Sequence, residues 1–160
     1  VVEITLARAV HVVAVIIWIG GVSFATSAVL PLTRLRTRPM EERLALFEAI
    51  EGRFVWQARI TTLLVAASGF YMIHELGLWD RFSHAEYWWM HAMVLVWALF
   101  TLLLFVVEPI LIHRVIQARV RAGDESVFTL LLVLHIVLLI LGLITAFAAV
   151  AGSHGVNLGF

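Results

Sequence analysis

Four stretches of this chain, roughly 5–30, 57–76, 87–112 and 127–151, are each apolar for about the 20 residues that a helix needs to cross the hydrocarbon of a bilayer. In hydrocarbon every backbone N–H and C=O must be satisfied within its own segment, so stretches of this length fold as helices. The expected fold is all-α: an integral-membrane four-helix bundle in a single domain over residues 1–160. Composition agrees, since 62% of residues are hydrophobic and the mean hydropathy is +1.02, against the 45–50% of an ordinary soluble domain. The first stretch is too long for a signal-peptide core and runs on to arginines instead of a small-residue cleavage site, so it is kept as a span.

The connections set the expected orientation. Residues 31–56 hold Arg34, Arg36, Arg38, Arg43 and Arg53, with Pro31 and Pro39 as helix breakers. Leu44, Phe47, Ile50 and Phe54 recur there at helical spacing, which predicts an amphipathic helix on the membrane surface over about 40–54. Residues 113–126 hold Arg114, Arg119 and Arg121, whereas 77–86 holds only Arg81, beside Asp80 and Glu86. Arginine-rich loops stay in the cytoplasm. Both termini are therefore expected outside, with the chain multi-pass in the inner (cytoplasmic) membrane and lipid as its first partner.

Charge and cysteine exclude several classes of function. The formal net charge is zero, so no bulk field points to nucleic acid. There is no cysteine, which removes disulfides, thiolate metal sites and iron–sulfur clusters. All eleven basic residues are arginine, so no mechanism here uses lysine.

Seven histidines remain, and ionisable residues at membrane depth mark functional sites by default. At about 1.5 Å per residue, His11 lies about 9 Å below the outer boundary, His91 about 6 Å and His74 about 3 Å. His84 and His154 fall in the outer loop and tail, and His113 at the inner boundary; these three are expected to be solvated. His135 is near mid-membrane on the inner side. Ala7, His11, Ala14, Trp18, Gly21, Ala25 and Ala28 form one stripe of the first span. His135, Gly142, Thr145, Ala149 and Gly152 form another on the fourth. Small residues let helices, or a flat cofactor, approach closely, so both stripes are expected to face inward.

Bundles build cofactor sites from side chains on facing helices, and imidazole is a common ligand of haem iron. Two axial ligands need nearly equal depth. His11 with His91 meets that requirement, as does His11 with His74. His135 lies about 15 Å deeper, and serves either an interior hydrogen bond or a second site. Against these stands the plainer role of a histidine bonding a neighbouring helix. Met72, Met90 and Met93 lie near His74 and His91, and thioether with imidazole suits copper(I), although methionine is also an ordinary packing residue. Glu108, before Pro109, is a candidate for proton relay or for pairing with Arg114 or another interface arginine; pairing is favoured.

The run from His11 through Trp18 to Gly20 and Gly21 resembles the first helix of CopD-like membrane domains and of the related HemJ-type protoporphyrinogen oxidases. Arg59 to Tyr71, with Ser68, Gly69 and Phe70, is similar to their second helix, and Trp89-Met90-His91-Ala92-Met93 to the opening of their third. The likeness covers about 110 residues and implies a four-helix membrane domain that handles haem b or copper, with His11 matching the functional first-helix histidine. The essential lysine of HemJ-type proteins falls at Met93, so protoporphyrinogen oxidation is not expected, while another membrane oxidoreductase activity stays open. The expectation is a haem b protein, with one haem or two, that transfers electrons near the outer face. His11 and His91, or else His74, would bind the iron, with His135 as a further cofactor contact and Trp18, Gly20 and Gly21 shaping the pocket. The alternatives are copper transport through the histidines with Met90 and Met93, and a small structural subunit of a larger membrane complex. A redox partner and a homo-oligomer are both compatible with these readings.

Overall fold

The apolar runs form long helices in the computed structural model, which describes residues 1–35 and 37–156, with the side chains of 111–113 outside the described set. Among the described residues there is no strand. Helix α1 spans Val2–Thr33. Its turns widen over Ala25–Val29, where the Thr26 and Ser27 hydroxyls each donate to the carbonyl four residues back, at 2.7 Å. Such back-bonding competes with the helix ladder and distorts it locally. Pro31 falls inside the closing turn Leu30–Thr33, two residues before the helix ends.

Helix α2, Met40–Glu75, is a single rod of 36 residues that starts just after Pro39. The surface segment expected at 40–54 and the span expected at 57–76 are thus parts of one helix. The first part turns Leu44 and Phe47 not toward lipid but into a buried cluster with Val29, Leu30, Val120, Val127, Phe128 and Leu131. Three contacts show α1 and α2 antiparallel along their lengths: Thr33 with Arg43, Gly21 with Phe54 and His11 with Ser68. Glu51, three residues from Phe54, therefore sits near the level of Phe24 and Ala25, within the apolar length of α1.

Gly77 ends α2 at φ +62°. It is a left-handed position that a residue with a Cβ resists, and the Gly77 and Leu78 amides bond back to the carbonyls of His74 and Ile73. Two short turns, Trp79–Ser83 and Ala85–Tyr87, lead into α3. That helix is regular over Trp88–Leu102, wide over Leu103–Ile116 and regular again over Gln117–Arg121. A tight turn with Gly123 at φ +75° leads to α4, Ser126–Ser153, where the Ser126 amide donates to Asp124 at 3.0 Å.

Helices Val2–Thr33, Ala85–Ile110 and Ser126–Ser153 are long and apolar enough to cross a bilayer, with mean hydropathies of 2.2, 2.4 and 3.1. They mark a multi-pass membrane protein. Three buried clusters run along the helices. One lies at the end with the arginine-rich turns, one in the middle around Trp18, Val22, Ala58, Val96, Phe100 and Leu138, and one at the terminal end around Trp89, Met90 and Ala148.

Candidate functional site

His11 is half-buried against α2. Its Nδ1 lies 3.1 Å from the Val65 carbonyl and 3.1 Å from the Ser68 hydroxyl. A carbonyl only accepts, so Nδ1 carries the proton and Nε2 keeps its lone pair. Ser68 accepts from the imidazole while donating to the Leu64 carbonyl at 2.5 Å. Gly69 makes the approach possible, because a Cβ there would lie 3.2 Å from the His11 Cε1. Three residues of α2 thus fix the plane and tautomer of one ring on α1.

The other expected site residues have separate engagements. His91 donates from Nε2 to the Phe82 carbonyl at 3.0 Å, and its ring meets the Phe82 ring edge-on at 5.2 Å. It pins the Trp79–Ser83 turn onto α3, and its free lone pair is on Nδ1. His74 is exposed near the end of α2, six residues, or about 9 Å of helical rise, beyond Ser68. Met90 is buried, and Met93 packs against the same cluster as Met90, Trp89 and Ala148, so both thioethers serve packing. Trp18 is 4% exposed and stands edge-on to Phe100 at 4.8 Å. Gly21 lies under the Phe54 ring, whereas Gly20 is exposed with no neighbour near its Cβ direction. His84 and His154 are exposed; the side chain of His113 and residue Arg36 lie outside the described residues. Among the described residues, no three histidine or carboxylate side chains group as a metal site.

His135 belongs to a different part of the molecule. Its Nδ1 donates to the Leu131 carbonyl of its own helix at 2.9 Å, leaving Nε2 without a hydrogen-bond partner among the described residues. It lines two cavities, of about 300 Å³ and about 630 Å³. Trp18, Val55, Ala58, Phe100 and Glu108 line the first. Gly21, Phe24, Val29, Phe47 and Arg53 line the second. Glu51, Phe54 and His135 line both.

Glu108 is paired, but with Arg59 of α2, at 2.6 Å. Arg59 also donates from Nε and Nη2 to the Leu104 carbonyl, at 3.1 and 2.9 Å. The wide turns of α3 explain that carbonyl. Where hydrogen bonds run from residue i+5 to residue i, the partner of Leu104 is residue 109, and Pro109 has no N–H. The sequence signal was therefore Pro109 itself, which leaves a carbonyl in need of a donor from another helix.

Arg43, counted in the sequence only among the loop arginines, has a structural role of its own. It is 4% exposed and donates to the Thr33 carbonyl at 2.5 Å. It also lies 3.6 Å from Glu125 and stacks over the Phe128 ring at 4.4 Å. One guanidinium thus holds three helix ends together.

No family model, no curated protein and no solved structure matches this chain.

Proposed function

We propose that the chain is a four-helix bundle in the inner membrane, with both termini outside and the arginine-rich turns in the cytoplasm, that binds haem b through histidine and transfers electrons. The observation that carries this reading is the state of His11. A metal-binding histidine donates its other ring N–H to a carbonyl or carboxylate, which fixes the tautomer and makes the ligating nitrogen more basic. His11 has that arrangement with Val65 and Ser68, so its Nε2 would be the atom to hold the iron. His91 holds a second lone pair at the same end of the molecule, on Nδ1. When bound, haem supplies one-electron chemistry; this chain supplies the ligand, its orientation and the exclusion of water. The topology rests on arginine asymmetry together with the antiparallel course of α1 and α2.

One absorption spectrum of the purified chain, oxidised and reduced, tests the reading. A Soret band that shifts on reduction supports it. A colourless preparation with copper by elemental analysis would replace it with copper transport. A colourless, metal-free preparation would leave a structural subunit.

A further inference from the structure

We infer that the cavity between Trp18, Glu51 and His135 binds a hydrophobic organic cation. The site lies toward the arginine-rich turns, away from His11, and does not depend on haem.

Three observations point the same way. First, Glu51 lines both cavities, and among the described residues it has no hydrogen bond and no ion pair. A half-buried carboxylate of this kind is held either by a proton or by a positive charge that meets it, and a cationic ligand can supply the second. Second, none of the cations near the cavities is paired with Glu51 among the described residues. Arg59 is bound to Glu108, Arg119 lines the first cavity but lies 3.8 Å from Asp124, and Arg53 lines the second cavity as an exposed residue. Of the two carboxylates that act on Glu51, those of Glu48 and Glu108, the second has its charge met by Arg59, while α1 brings no ionisable side chain to either cavity. From α4 comes His135, whose Nε2 is an acceptor.

Third, the walls suit the apolar part of such a ligand. Trp18, Phe54 and Phe100 line the first cavity, and aromatic faces attract cations, more strongly when water is excluded. The adjoining cavity reaches the exposed residues Phe24 and Arg53 between α1 and α2, so a ligand dissolved in lipid has a way in. An anion would meet Glu51 unfavourably. A neutral apolar molecule would fill the walls and leave the carboxylate unanswered.

The test is equilibrium binding of tetraphenylphosphonium, and of the smaller benzyltrimethylammonium, to the full chain in detergent, with tetraphenylsilane as an uncharged competitor. Saturable binding of at least one cation, at one site per chain, is expected. Glu51→Gln should weaken it tenfold or more, and Glu51→Asp should restore part of it. Glu48→Gln, outside both cavities and bonded to Gln117, should change affinity by less than threefold. Binding of neither cation, unchanged affinity in Glu51→Gln, or equal competition by tetraphenylsilane would each overturn the proposal.

Discussion

Arg59 and Glu108 join α2 to α3 by an ion pair of 2.6 Å, and the same guanidinium supplies the Leu104 carbonyl with the donor that Pro109 lacks. The pair is part of a backbone repair as much as an electrostatic contact. Arg59→Met would strand both a carboxylate and a carbonyl. With side chains 26% and 17% exposed, the loss should be about 2–3 kcal/mol, below that of a fully buried pair. Restoring the N–H with Pro109→Ala should make Arg59→Met less costly. Thermal unfolding in detergent of the two single variants and the double variant checks this; strict additivity would show that the carbonyl plays no part.

Four glycines should respond in a graded way to alanine. A Cβ at Gly152 would run into the indole of Trp89, and one at Gly21 into the Phe54 ring. At Gly142 it would meet only the tip of Ile19, at 2.8 Å, which can rotate aside. Gly152→Ala and Gly21→Ala should each cost about 1–3 kcal/mol, and Gly142→Ala less. Gly20→Ala, with open space around it, should be neutral or slightly stabilising. A stability ranking that puts Gly20→Ala among the damaging variants would contradict the packing.

The three most apolar helices were legible because their sequences are nearly uniform in hydropathy, and length alone then decides. Helix α2 was half legible. Its first part alternates charge with Leu44 and Phe47, a pattern that a surface helix and a buried one share. What separates the two is whether the charges find partners, and Arg43 finds Thr33 and Glu125 on two other helices. The stripe through His11, Trp18 and Gly21 marked a packed face, but periodicity carries no information about hydrogen-bond partners. It could not say that His11 turns to Val65, or that His91 bonds a loop carbonyl rather than a neighbouring helix. Glu51 was illegible for the same reason: its cavity is made by four helices, and no local pattern encodes it.

Ser68 should matter to the cofactor without touching it. If His11 holds iron, Ser68→Ala removes one of the two acceptors that orient the ring, and haem retention should fall about tenfold. His11→Ala should abolish the Soret band or shift it to another ligation state, with the helix content by circular dichroism unchanged. His84→Ala, on the exposed loop, should leave the spectrum as it was. Full haem content with an unaltered reduced spectrum in His11→Ala would exclude His11 as the ligand.

Arg43 supplies the last prediction. Its guanidinium bonds the Thr33 carbonyl where α1 ends, and the final carbonyls of a helix have no partner within it. Thr33 is fully buried, so water cannot replace the arginine. The same group meets Glu125 at the start of α4 and the face of Phe128. Arg43→Ala should therefore cost about 2–4 kcal/mol, a large effect for one residue outside the apolar spans. Arg43→Lys should recover less than half of it, because an ammonium has no planar face to stack on Phe128 while bonding two helix ends. Limited proteolysis near Gly123, compared among the wild type and the two variants, should show the turn opening in the order alanine, lysine, arginine. Equal protection in all three would mean that the apolar cluster of Leu30, Phe47 and Phe128 closes this end of the molecule without help from the charge.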